Sequence, residues 1–379
     1  MEELGKQLRF MLVGLVSKGI DYESIVLDME ELQSLVKTYG GEVFAAVIQK
    51  ADYPHKATFI GSGKAEEVAD KIAEEKIDIV VINDVLKPGQ LYTLEKIFFR
   101  SNPKIKVWDR LDLILQIFSQ HAHTKEAKLQ IDLASLRHMG PRTYGMGYIL
   151  SRQGGGIGTV GVGETNTELM KRHWKNEMRQ ISSQLTKLSE EKIKQIEKRK
   201  SIGFQTAAIV GYTNAGKTML FNRLTSKTNL VADTLFATLD SSVGKLYIPK
   251  LKKDIIVSDT IGFIKNLPPT LIEAFKSTLL ESVSADLLLV VIDLSDPEFT
   301  DKIQAVEKIL LELCGEKKNR LYVFNKIDKA TSFERTDLRK RYADFNPLFI
   351  SAKIGSGVDE LLKAIGDKIV KYNTSSDKS

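Results

Sequence analysis

The sequence predicts an α/β protein in three parts. A small N-terminal α/β domain covers residues 1–115, a helical hairpin with a glycine-rich loop at 140–163 covers 116–202, and a doubly wound domain covers 203–372, ahead of a frayed tail at 373–379. Three observations predict it. Short apolar runs alternate with amphipathic segments toward both ends of the chain, and in the C-terminal part they have the pattern of buried parallel strands joined by crossover helices. Residues 164–200 contain no Pro or Gly and carry an apolar stripe at helical spacing. Residues 211–218 form a complete phosphate-binding loop between an apolar strand and a helix start.

Taken in order, Phe44 to Ile48 and Ile77 to Ile82 read as strands, and Lys64 to Glu75 and Gly89 to Phe99 as helices. Gly61, Ser62, Gly63 and Lys64 look like a fragment of a phosphate loop but lack its spacing, so they read as a turn and helix start. Asp112 to Met139 places Leu113, Ile117, Leu129, Leu133 and Leu136 mostly at helical spacing and is assigned to helix. Residues 140–163, with Gly154, Gly155, Gly156, Gly158, Gly161 and Gly163, hold too many glycines for a regular element and read as a loop. Met170, Trp174, Ile181, Leu185 and Leu188 stripe the next helix, and the stripe reads as hairpin packing rather than a cofactor site. Thr206 to Val210, Ile255 to Val257, Leu287 to Ile292, Leu321 to Phe324 and Leu348 to Ile350 are strands of the C-terminal sheet. Phe299 to Leu313 and Val358 to Ile369 are crossover helices. In such a sheet the ligand sits at the strand carboxyl ends.

Composition bounds the class. The 379 residues are 42% hydrophobic and 27% charged, ordinary for a soluble protein. The single cysteine, Cys314, cannot form an intramolecular disulfide and fits a reducing compartment, so a cytoplasmic location is expected. The apolar run Phe10 to Val16 is too short to span a membrane. No transmembrane segment is expected, peripheral membrane association stays open, and a monomer is expected. Between Lys171 and Lys200 there are ten Lys or Arg against four Glu, an excess equal to the net charge of +6 of the whole chain. Positive charge is therefore concentrated on one helix.

The phosphate loop is Gly211, Tyr212, Thr213, Asn214, Ala215, Gly216, Lys217, Thr218. Its glycines let backbone N–H groups and the following helix N-terminus face a polyphosphate. Lys217 is assigned to the β and γ phosphates and Thr218 to Mg²⁺, a hard cation that favours oxygen ligands. Asp259, closing an apolar strand, is assigned to Mg²⁺ through water, and Gly262 to the γ phosphate through its N–H. Asn325, Lys326, Ile327 and Asp328 follow the next-to-last strand. The Asp328 carboxylate can accept two hydrogen bonds from guanine that adenine does not offer. The carboxylate is expected to be buried, and leaving it unpaired there rejects the wrong base by up to about 10⁴–10⁵-fold, so the expected substrate is GTP. Ser351, Ala352 and Lys353 follow the final strand, and the Ala352 N–H is assigned to guanine O6. In Leu235 to Asp240, Thr238 is the expected second Mg²⁺ ligand while the γ phosphate is present, with Thr234 the substitute. Lys217, Thr238 and Gly262 form the expected catalytic set. Phe263 occupies the place where a Gln could orient the attacking water, so intrinsic hydrolysis is expected to be slow. A missing transition-state charge donor is worth about 10³–10⁵ in rate, so a partner or a monovalent ion is expected to supply part of the catalysis. Asn214 is the candidate K⁺ ligand, with an ordinary loop-stabilising role equally open.

These motifs, with the LFATLD segment at 235–240, DTIGF at 259–263, NKID at 325–328, and SRQGGGIG followed by GVGET, resemble the HflX family of translational GTPases. FIGSGK, VINDVLKPGQ and VWDRLDLILQIF are similar to that family's first domain, so the resemblance covers most of the chain. It implies a P-loop GTPase domain that binds the large ribosomal subunit. It also implies GTP-controlled splitting of stalled or idle ribosomes, with the glycine-rich loop of the hairpin entering ribosomal RNA. The chain departs from the family pattern at Val160 and Val162, at Leu169 and Met170, and at Ser241. The competing expectation is a GTP-regulated interaction protein that recruits a non-ribosomal protein partner. RNA binding through Arg152, Lys171, Arg172 and Lys175 would weaken steeply with salt, and a protein partner would tolerate their loss better. A catalytic first domain finds no acid–base or metal-ligand constellation in the sequence, and His121 and His123 read as solvent-facing helix positions.

Overall fold

The computed structural model describes residues 7–153, 166–227, 235–236, 242–260, 262–264, 271, 276–314, 318–329 and 335–376. The chain forms two compact units, Met1–Gln120 with Lys128–Gln184, and His121–Ala127 with Leu185–Ser379.

The first unit is built on four parallel strands, β1 (Arg9–Val16), β2 (Glu42–Lys50), β3 (Ile79–Ile82) and β4 (Lys106–Asp109), in the spatial order β2-β1-β3-β4. The apolar run at 10–16 that is too short for a membrane is this sheet's buried central strand. Helix α1 (Tyr22–Tyr39) starts where the Asp21 side chain accepts the Glu23 N–H at 3.2 Å. It stops where Gly40 turns left-handed at φ 96° and sends its N–H back to Lys37. The sequence reading missed both α1 and β4. Helix α2 (Ser62–Glu74) begins in the Gly61–Lys64 turn as expected, and α3 (Pro88–Phe98) has Pro at its first position, where a missing N–H costs nothing. Met11, Val13, Val80, Ile82, Val68, Ile72, Leu94 and Phe98 share the core.

Two departures from expectation follow. The segment 112–139 is two helices, α4 (Arg110–His121) and α5 (Lys125–Gln153), the second opening where the Thr124 hydroxyl accepts the Ala127 N–H at 3.2 Å. Residues 140–153, expected in the glycine-rich loop, continue α5 through Gly140 and Pro141. The reason is tertiary. A proline inside a helix costs about 3 kcal/mol, whereas severing a buried ion pair costs about 3–5 kcal/mol, and the next residue, Arg142, pairs with both Asp109 and Asp112. The anchor outweighs the local penalty. The rest of that loop, 154–163, lies outside the described residues. Helix α6 (Asn166–Ser201) follows, with Ile181 and Leu185 buried and Lys171, Arg172 and Lys175 exposed.

The second unit holds six strands, β5 (Thr206–Gly211), β6 (Ser242–Ile248), β7 (Lys253–Asp259), β8 (Leu287–Asp293), β9 (Arg320–Asn325) and β10 (Leu348–Phe349), in the order β10-β9-β8-β5-β7-β6. All pairs are parallel except β6 with β7. The antiparallel edge strand β6 was not anticipated, because its Lys245 and Tyr247 face solvent and break the apolar run. Among its described residues the unit also holds helices α7 (Lys217–Thr225), α8 (Lys276–Ser284), α9 (Phe299–Cys314), α10 (Arg335–Arg341) and α11 (Val358–Ser376). The last one runs to Ser376, so residues 373–376 of the expected tail are helical. Ala207, Ile209, Val257, Leu289, Val323, Phe221 and Leu361 join sheet and helices in one core. Gly211, Asp259, Asp293 and Asn325 all fall at strand carboxyl ends, which is where the register puts the site.

Candidate nucleotide site

The strand β5 is buried throughout and delivers the loop 211–216 to the N-terminus of α7. Asn214 is exposed at φ 61° and Gly216 sits at φ 88°, so the loop curls through left-handed positions. A Cβ at Gly216 would strike the Asn325 amide, which fixes glycine there by contact as well as by conformation. Asn325 is 1% exposed and joins three segments. Its Nδ2 donates to Ala215 O at 2.8 Å, its Oδ1 accepts the Ala352 N–H at 2.9 Å, and its backbone ends β9.

Lys217 is buried, and its Nζ donates to Tyr212 O at 2.7 Å. Burial, together with the neighbouring Lys326 charge and against the pull of Asp259, lowers its ammonium pKa to about 8. An anionic phosphate at this point would raise that pKa again and favour the charged form further. Asp259, fully buried, ends β7, and Thr260 Oγ1 beside it donates to Ile209 O at 2.7 Å. Gly262 presses into the same space, where a Cβ would lie 2.7 Å from Thr213 Cγ2 and 2.8 Å from Lys217 Nζ. No side chain fits between the loop and this strand end. Phe263 is 2% exposed, and its backbone pairs with the phosphate loop, Thr213 N–H to Phe263 O at 2.7 Å and Phe263 N–H to Gly211 O at 3.1 Å. Its ring is buried.

On the base side, Asp328 is exposed, not buried as the sequence reading assumed, and its carboxyl titrates below its usual range because Ser351 Oγ donates to it. The Ala352 N–H, expected at guanine O6, is committed to Asn325 in this structure. Arg223 of α7 holds the 351–353 turn from behind, Nε to Ala352 O at 2.7 Å and Nη2 to Lys353 O at 2.6 Å. Sequence reasoning missed Arg223, because nothing in a helix pattern marks which turn its side chain will reach. Thr218 lies half-buried in the first turn of α7. Thr238 and Thr234 lie outside the described residues. A divalent cation finds a suitable set here. The hydroxyl of Thr218 and the buried carboxylate of Asp259 are hard oxygen donors at the two element ends that frame Lys217.

The first unit holds a second charged cluster that the sequence reading did not anticipate. Ligand atoms of Asp109, Asp112 and His138 lie within 4.8 Å of one another. Their lone pairs are already used. Arg142 Nη1 lies 2.6 Å from Asp112 Oδ2, Arg142 Nη2 contacts Asp109 Oδ2, and His138 Nε2 lies 3.1 Å and 3.2 Å from the remaining oxygens of the two carboxylates. The backbone N–H groups of Leu86, Asp109 and Asp112 donate to the same carboxylates. Burial alone would lower the His138 pKa, but hydrogen bonds to Asp109 and Asp112 carry it up to about 9. Burial would raise Asp112, but His138 and Arg142 bring it down to about 2. Two cations already neutralise two carboxylates, so this is a structural tie and not a metal site. Among the described residues no helix is long and apolar enough to cross a membrane.

Comparison with known proteins agrees with this geometry. Residues 27–119 match the family described as GTP-binding GTPase N-terminal, 121–199 match GTP-binding GTPase Middle Region, and 206–326 match 50S ribosome-binding GTPase. The chain is 41% identical to GTPase HflX of Caldanaerobacter subterraneus over 98% of its length and 83% of that protein's. It is 37% identical to GTPase HflX of Escherichia coli over 90% and 79% respectively. The crystal structure of SsGBP and GDP complex is similar over 97% of this chain and 99% of that one, with 27% identity and a TM-score of 0.51. With relatives matched along nearly the whole chain and a phosphate loop in the setting its chemistry requires, the protein belongs to the HflX family of GTPases and is a GTP hydrolase.

Proposed function

We propose that the protein hydrolyses GTP with Mg²⁺, binds the large ribosomal subunit through its basic helical segment, and uses the GTP state to split or recycle stalled or idle ribosomes in the cytoplasm. In the chemical step water attacks the γ phosphorus, the bond to the bridging oxygen breaks, and GDP, phosphate and a proton leave. Lys217 carries positive charge to the β and γ oxygens, the Gly262 N–H meets the γ phosphate, and Asp328 selects guanine. Thr218, Thr238 and Asp259 would hold Mg²⁺, which neutralises charge developing on the phosphates when bound. The ring of Phe263 is locked in the interior, so no side chain at that position orients the water, and the intrinsic rate is slow.

The observation that carries the ribosomal part is the exposed basic row Lys171, Arg172 and Lys175 on α6 of a chain whose residues 206–326 match a 50S ribosome-binding GTPase. Co-sedimentation with ribosomal subunits in GTP, GDP or a non-hydrolysable analogue tests it. Binding to the large subunit that depends on the nucleotide is expected, and equal binding in all three states sinks it. Comparing turnover in K⁺ and Na⁺ tests Asn214 as an ion ligand, and equal rates remove that role.

A further inference from the structure

One ion pair at the nucleotide site joins a motif residue, Lys326, to an acid that belongs to none of the motifs. Strand β8 ends on Asp293, whose backbone is in register with Asn325 of β9. Its carboxylate divides its contacts. Oδ1 accepts the Ser295 N–H at 3.0 Å and the Ser295 hydroxyl at 2.6 Å, closing the turn after the strand. Oδ2 lies 2.7 Å from Lys326 Nζ, with both side chains only 17% exposed.

Lys326 has an unusual placement. Its backbone sits at φ 63°, a region that L-residues occupy at a cost unless their surroundings hold them there. It lies between Asn325, which ties down the phosphate loop, and Asp328, which faces the base, and its charge is felt by Lys217. The head of the side chain is therefore held at the carboxyl end of β8, while its backbone opens the 326–328 turn. A long, rotamer-rich side chain forms a fixed wall only when its head is held.

We propose that Asp293 is a positioning residue for guanine-nucleotide binding, which anchors the Lys326 ammonium so that its stem stands as a fixed wall of the base pocket and sets how long bound nucleotide stays. This rests on the assignment of 211–218 and 325–328 to GTP. Asp293→Asn separates the two contacts of the carboxylate. It keeps an acceptor for the Ser295 turn and nearly the same shape, but turns an amide donor toward the ammonium.

The test is the dissociation rate of a fluorescent GDP analogue from the full chain, with KM and kcat for GTP and the melting temperature measured alongside. Asp293→Asn is expected to speed dissociation and raise KM by roughly 10-fold, leaving kcat within about 2-fold. Asp293→Glu, which restores a carboxylate, is expected to recover most of the loss. Lys326→Ala should match Asp293→Asn, and the double variant should go no further. An unchanged rate in Asp293→Asn, or effects that multiply in the double variant, overturns the proposal. Ser295→Ala loosens the turn and spares the ion pair. If it alone reproduced the faster dissociation, the effect would belong to the turn and the proposal would fall. Lys217→Ala and Asp328→Asn serve as controls for the site itself. If they lose guanine nucleotide while Asp293→Asn does not, only this inference fails; if they bind normally, the site assignment fails.

Discussion

At the scale of single residues, several side chains of the candidate nucleotide site are held by backbone groups. Asn325 shows this best, since its amide satisfies a carbonyl of the phosphate loop and an N–H of the 351–353 turn at once. Replacing it with Ala leaves both groups unpaired in a buried place, at about 1–3 kcal/mol each. Asn325→Ala is therefore expected to unfold at clearly lower denaturant concentration and to bind GTP poorly, and a wild-type midpoint would contradict the role given to it. Phe263 makes the opposite case. A reader comparing sequences would expect Phe263→Gln to install a water-orienting group and speed hydrolysis. The structure predicts no gain, because the position faces the core, and a loss of about 2–3 kcal/mol of burial. Single-turnover hydrolysis of bound GTP measures the first claim and a melting curve the second.

At the scale of elements, α5 depends on one ionic tie. Arg142→Leu leaves Asp109 and Asp112 together with only His138 between them, at about 3–5 kcal/mol, and the helix beyond Gly140 loses what offsets Pro141. Loss of helical circular dichroism together with a lower melting temperature is expected, and an unchanged spectrum would refute the anchor. The same cluster sets a pH dependence. His138 has its folded pKa raised from 6.5 to about 9, so its stabilisation is complete below 6.5 and is lost as pH rises through 9. Asp112 has its folded pKa lowered from 3.8 to about 2, so its contribution is complete above 3.8 and is lost as pH falls through 2. Stability from this cluster is therefore greatest between pH 3.8 and 6.5 and declines from 6.5 to 9. In His138→Gln the alkaline decline should disappear from denaturation curves taken across that range.

At the scale of the whole molecule, charge and nucleotide chemistry are segregated along the chain. The excess of Lys and Arg over Glu between Lys171 and Lys200 equals the net charge of the protein, while the phosphate loop and its partners lie beyond residue 205. If the basic row meets RNA phosphates, replacing Lys171, Arg172 and Lys175 with Ala should flatten the dependence of log affinity on log salt by roughly 2 to 3 units, at about 0.7–0.9 per phosphate contact. GTP hydrolysis in the absence of the partner should be unchanged. A slope equal to that of the wild-type protein would point to a partner other than nucleic acid.

The sequence alone determined the fold class, the strands of the C-terminal sheet apart from β6, and the placement of residues 211–218 between a buried strand and a helix start, because each is encoded locally. A buried strand needs an apolar run, and a phosphate cradle needs glycines, Lys217 and Thr218 at fixed spacing. Tertiary structure decided what depends on residues far apart in the chain. It carried α5 through Gly140 and Pro141, since Arg142 finds Asp109 and Asp112 some thirty positions earlier. It committed the Ala352 N–H to Asn325, turned the ring of Phe263 inward, and placed Asp293 against Lys326. Local propensity is a sum over neighbours in sequence, whereas a buried charge or N–H is stable only beside its partner in space, and the fold alone brings that partner near.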